Sequence, residues 1–213
     1  MVPPWLRGVA QVEVAIGINF FTDNRAAHFA AAEAAVTKAL SLAPNHATAH
    51  MLLGVVKMSR NRAHLGIAEC ERALALDRNL ATPHAIIGCA KYLLGRSEET
   101  EAHIHKALRL SPRDIWVFQW LNMVGLAKSQ LGAEESGCLV PAQHRANQPM
   151  AHVLLAATVA RLGELDEARA AGLALNPAFT IRRFANPPSD NPTFLAGTKR
   201  IYEGMRLAGG PES

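Results

Sequence analysis

The chain has 213 residues, of which 49% are hydrophobic and only 6% aromatic, and 22 basic against 18 acidic residues give a net charge of +4. That length suits one or two domains or a single elongated array, and an apolar fraction rich in alanine and leucine, without runs of Val, Ile, Thr and Tyr, argues for helices packed through small residues. No apolar run approaches the ~20 residues that span a bilayer, and the basic excess forms no dense stripe with interleaved aromatics, so neither a membrane nor a nucleic acid is expected as a direct partner.

In chain order, "MVPPWLRGVAQVEVAIGINFF" reads as a helix from about Trp5 to Phe21. It carries one basic residue and no small-residue cleavage site, a poor match to a secretory leader. After "TDNR", a second helix ends in "VTKALSLAPN". Two helix pairs follow. The first helix of each holds Gly54 or Gly88 behind a bulky apolar residue, and the second ends in "ERALALDRN" or "HKALRLSPRD". "IWVFQW" places Trp116 and Trp120 one turn apart at the start of a slightly lengthened helix, where core packing is favoured over an aromatic binding anchor. "LNMVGLAKSQLG" continues that helix to Gly132. Over 133–150 the pattern falters, because Gly137, Pro141 and Pro149 interrupt any second helix there. "AHVLLAATVARLGELDEARA" restores it, with Gly163 between two helices and Pro177 as the close. Beyond the loop "RRFANPPSDNP", Asn191 is placed to cap a last helix and Pro192 to occupy its first turn, with Phe194, Ile201 and Met205 on roughly one face.

These stretches repeat in register. Gly54 and Gly88, Ala73 and Ala107, His50 and His84, and Lys57 and Lys91 are each 34 residues apart, and Ala39 lies 34 before Ala73. A 34-residue period of this form resembles the tetratricopeptide repeat. His50 and His84 stand at its consensus Trp position, Lys57 and Lys91 at its Tyr position, and Gly66 and Thr100 at the first Ala position of its second helix. The fold implied is all-α: a right-handed α-solenoid of about five helix-turn-helix repeats over residues 1–177, irregular at 133–150. A loop and a C-terminal capping helix over 178–213 would then cover an apolar face left by the last repeat.

"LSLAPNHATAHMLLG", "GIAECERALALDRNL", "ALRLSPRDIWVFQWLNMVGLAKSQLGA" and "DNPTFLAGTKRIYEGMR" resemble, more narrowly, the C-terminal repeat region of bacterial class III adenylate cyclase-like proteins. That resemblance implies a regulatory piece of a signalling protein whose partner is a cyclase or DNA-binding domain. The paired metal-binding aspartates of the cyclase are not found in this sequence, so no catalytic residue is carried over.

No other enzyme signature is present. Phosphate-loop, H-E-x-x-H and G-x-S-x-G motifs are missing, and His103 and His105, two apart on a helix, point to nearly opposite sides and cannot share an ion. A non-enzyme without cofactor or metal is expected. Cys70, Cys89 and Cys138 are odd in number, widely spaced and form no C-x-x-C, as suits reduced thiols in the cytoplasm. The expected function is protein–protein interaction through a concave groove lined by first helices. Its candidate residues are Met51, Val55 and Met58, then Ala85, Cys89 and Leu93, then Asn122, Leu126 and Gln130, and finally Val153 and Ala157. None is a cation, so the groove suits an amphipathic helix or apolar strand better than an acidic C-terminal tail.

Overall fold

The structure, a computed structural model, describes residues 4–18, 24–133, 149–173, 180–181 and 188–212. Among them every regular element is helical. Helices α1 (Pro4–Ile18) and α2 (Arg25–Leu42), α3 (Ala47–Ser59) and α4 (Ala63–Leu76), and α5 (Ala81–Leu93) and α6 (Thr100–Leu110) form three hairpins stacked in chain order. Helix α7 (Val117–Gln130) stacks on α6, and α8 (Pro149–Arg161) pairs with α9 (Leu165–Leu173). Helix α10 (Pro192–Leu207) closes the chain. The result is the all-α, right-handed solenoid implied by the period. The broken helix expected over 133–150 lies almost wholly outside the described residues; within that range Pro149 opens α8, where a proline needs no hydrogen-bond partner. The expected end of the first helix at Phe21 and the loop residues 182–187 also lie outside them.

The register rests on two recurring features. The first is the close approach of paired helices. A Cβ added to Gly54 would lie 2.6 Å from Cys70 Sγ and 3.0 Å from Gly66 O, and one on Gly88 would lie 3.1 Å from Thr100 O. Gly66 and Thr100, the two departures from the consensus alanine, are therefore the residues that meet those glycines, and Thr100 Oγ1 donates to Gly88 O at 3.1 Å. Ala73 and Ala107 are fully buried in the same hairpins. A larger side chain at either glycine must push the helices apart.

The second feature is a left-handed residue just after each of α3, α5, α7 and α8. Asn61, Gly95, Gly132 and Gly163 are left-handed, at φ 56, 74, 79 and 89°. Each lies seven residues after Gly54, Gly88, Gly125 or Ala156. In all four the next amide reaches back to close the helix end: Arg62 N to Lys57 O, Arg96 N to Lys91 O, Ala133 N to Lys128 O and Glu164 N to Val159 O, at 2.9–3.1 Å. This is the Schellman arrangement, which satisfies carbonyls that a helix end leaves orphaned. The spacing from Gly88 to Gly125 is 37 residues and from Gly125 to Ala156 is 31, so one unit is long, the next is short, and the phase is restored. One of the three added residues lengthens the helix slightly, as the sequence suggested: α7 has 14 residues against 13 in α5. The other two lie in the loop before it, where Ile115 is 77% exposed. Trp120 is buried against Ile104 and Val124 as core, while Trp116 sits half-buried at the helix cap beside the same cluster.

Helix α10 begins as the sequence predicts. Asn191 Oδ1 accepts from Thr193 N and Phe194 N at 3.0 and 3.1 Å, with Pro192 in the first turn. It covers the array along the first-helix side. It packs mainly on α8 and also on α7, with Phe194, Ile201 and Met205 buried.

Candidate interaction surface

Successive first helices α3, α5, α7 and α8 present one side of the stack, and the candidate groove residues fall into two groups on it. Met51 and Met58 are half-buried and Val55 is buried, packed with Val14, Phe29 and Ile86 in the N-terminal part of the array. Ala85 is buried under Trp120 and Ile104. Cys89 is half-buried, and burial pushes its thiol up to about 12, so it is a thiol rather than a thiolate at neutral pH.

The second group has a cover. Leu93, Leu126 and Ala157 share one cluster with Phe194, Ile201 and Met205 of α10. Gln130 is buried, accepts a hydrogen bond from Ser97 Oγ and donates to Thr193 O at 3.3 Å. Gly204 crosses α8 so closely that a Cβ on it would lie 2.4 Å from Ala157 O. Asn122, only 4% exposed, has an Oδ1 without a hydrogen-bond partner. Val153 lies in α8, but its side chain is outside the described ones.

One contributor was missed from the sequence. Carrying Met58 forward by one period gives Tyr92, not Leu93. Tyr92 meets the edge of Phe194 at a centroid distance of 5.2 Å and 77° between planes. Its hydroxyl hydrogen-bonds the Thr198 side chain, and burial, with Tyr202 nearby, raises its pKa. Strict transfer along the period would have found it.

The first-helix lysines also have partners that the sequence did not disclose. Lys57 Nζ pairs with Glu33 at 2.6 Å, Lys91 with Glu99 at 2.9 Å and Lys128 with Glu101 at 3.1 Å. Arg60 and Arg62 join Glu33 at 2.8 and 3.0 Å. Desolvation raises the Glu33 pKa, but the Lys57 hydrogen bond and the charges of Arg62 and Lys57 outweigh it and hold the carboxyl below its ordinary value. The basic side chains along this edge are thus engaged within the chain.

The two histidines at the consensus Trp position have separate surroundings. His50 Nδ1 lies 2.6 Å from Glu69 Oε2, and its Nε2 lies 2.7 Å from Pro44 O. His84 is buried, and burial first, then Lys106 and His103, lower its pKa to about 4, so it is a neutral core imidazole at pH 7. Among the described residues no group of three or more His, Cys, Asp or Glu is placed to hold a metal ion. None of their helices is long and apolar enough to cross a membrane.

By sequence, no protein-family model and no curated protein matches the chain. Solved structures do. PilW, described as a widely conserved type IV pilus biogenesis factor, superposes with a TM-score of 0.64 at 17% identity, over 93% of this chain and 91% of its own. PilF of Pseudomonas aeruginosa gives 0.62 at 19% identity, over 96% and 89%. A thermophilic tetratricopeptide protein of Thermus thermophilus, TTC0263, gives 0.60 at 17% identity, over 90% and 98%. The fold of this chain is that of the tetratricopeptide solenoids.

Proposed function

We propose that this tetratricopeptide solenoid is a non-catalytic interaction module whose first-helix face binds an apolar peptide or amphipathic helix of a protein partner. The observation that carries the reading is α10. An amphipathic helix already lies on that face, its buried Phe194, Ile201 and Met205 against Leu93, Leu126 and Ala157. The lysines that could otherwise clamp a carboxylate are paired with Glu33, Glu99 and Glu101, which favours an apolar ligand over an acidic tail. Met51, Met58 and Cys89 are soft side chains that adapt to varied apolar contacts. A related fold, YrrB, is described as a tetratricopeptide protein with an unusual peptide-binding site; it superposes at a TM-score of 0.53 and 19% identity, over 81% of this chain and 95% of its own. The cytoplasm is the compartment we assign, since free thiols such as Cys70 and Cys89 stay reduced there.

The test is capture of partners from a lysate by wild-type protein and by a variant carrying Met51→Lys. Specific capture lost in a variant that keeps its helical circular dichroism supports the reading; unchanged capture overturns it for this part of the face. A second reading rests on the stretches that resemble cyclase-like proteins, one of which, "DNPTFLAGTKRIYEGMR", supplies α10. On that reading the partner is a cyclase or DNA-binding domain, and an in-frame cyclase-coding segment upstream would favour it.

A further inference from the structure

Helix α10 is seated on the array in the manner of a bound ligand. Its approach is made by main-chain carbonyls at the ends of first helices: Ser189 Oγ donates to Leu93 O at 2.6 Å, Asn191 Nδ2 to Leu94 O at 3.0 Å, and Arg200 Nη2 to Gln130 O at 3.0 Å. Its contact stripe is Phe194, Gly197, Ile201, Gly204 and Met205, spaced as one face of a helix. The two glycines set the depth of seating. A Cβ on Gly197 would lie 3.0 Å from Gln130 Cγ, and one on Gly204 would meet the main chain of Ala157 at 2.4–3.0 Å. Opposite, Gly95 makes room for the cap, since a Cβ there would be 2.6 Å from Asn191 Oδ1.

The energetics of removal are lopsided. The three carbonyls lie at helix ends, where water can take over their hydrogen bonds once the segment leaves. Tyr92, Leu93, Leu126 and Ala157 would be left facing water, a cost roughly proportional to their apolar area. Simple opening is therefore disfavoured, whereas exchange for another helix of the same pattern leaves the apolar surface covered.

We infer that the face formed by α5, α7 and α8 is a helix-binding site filled in cis by segment 188–212, and that a partner helix binds there by exchanging with it. The pattern required is large apolar, two residues, small, three residues, large apolar, two residues, small, large apolar. This deepens the interaction-module reading, on which it rests, by naming the class of helix and its resident competitor.

The probe is a fluorescent peptide of residues 188–212, titrated onto the full chain as wild type, as Phe194→Ala, which weakens the cis helix without a clash, and as Gly204→Leu. Binding should be on the order of tenfold tighter to both variants than to wild type, because the competent open state is more populated. It should be lost when the peptide itself carries Gly204→Leu. No binding to a Phe194→Ala chain that keeps its circular dichroism, or equal binding by all three chains, overturns the inference. Should both variants fail to fold, hydrogen exchange on wild type decides. Excess unlabelled peptide should speed exchange of the chain's own 192–207 amides, and unchanged protection overturns the proposal. Capture of a partner through Met51 would survive that failure, which separates the two readings.

Discussion

The N-terminal and C-terminal halves of the first-helix face are built from the same repeat, yet they are covered differently. On α3 and α5, Met51, Met58 and Cys89 remain partly accessible, and the neighbours that bury Val55 and Ala85 belong to the repeat series itself. At the end of α5 and on α7 and α8, Leu93, Leu126 and Ala157 are buried beneath a helix from outside the repeat series. The difference does not follow hydrophobicity, since the covered half includes polar Asn122 and Gln130 where α5 has Ala85 and Leu93. It arises from α10, which has glycine wherever a side chain would hold it off the array. Two glycines in the cover, Gly197 and Gly204, let it seat this closely on α7 and α8.

Gly204→Leu should break this comparison most strongly. The added side chain would strike the main chain of Ala157, which has no rotamer to yield, so the loss should be about 3 kcal/mol or more. Thermal melts should fall, and hydrogen exchange should quicken in 192–207 first, leaving α3–α6 protected. Equal loss of protection throughout would mean that α10 and the array unfold as one unit.

Gly88→Leu acts beneath both halves instead. It forces α5 and α6 apart at Thr100 and Ile104 and should cost on the order of 1–3 kcal/mol. An unchanged melting temperature would refute the register of the repeat.

The smallest effect concerns pH. The folded pKa of His84, about 4, lies below the unfolded value near 6.5. The unfolded chain therefore binds more protons over that interval, and stability should fall as pH drops from about 6.5 towards 4. His103, lowered by burial first, acts in the same direction. Glu33 and Glu99, whose folded pKa values are depressed, withdraw their stabilisation as pH falls below their unfolded value near 4.5. His84→Gln should flatten the stability profile between pH 6.5 and 4.5; an equally steep profile would place the sensitivity elsewhere.

Much of this fold was legible because its constraints are local. The 34-residue recurrence of Gly54 and Gly88 follows from the closeness of paired helices, and Asn191–Pro192 announces the start of α10 through cap chemistry alone. Asn61 hid its role, because only alignment with Gly95 reveals it as the left-handed turn residue. The site was less legible. Leu93, Leu126 and Gln130 read as open groove positions, but nothing short-range in the sequence indicates that residues some 60–100 positions later cover them. The pairing of Lys57 with Glu33 on α2 and of Lys128 with Glu101 on α6 is likewise a product of stacking, which local patterns do not encode.

Thiol labelling tests the division of the face most directly. In a chain with Cys70, Cys89 and Cys138 replaced by alanine, Met51→Cys should react readily with a maleimide. Leu126→Cys should react on the order of tenfold more slowly, because it waits for α10 to open, and adding Gly204→Leu should bring the two rates together. Equal rates in the otherwise native chain, or a Leu126→Cys rate indifferent to Gly204→Leu, would contradict the account.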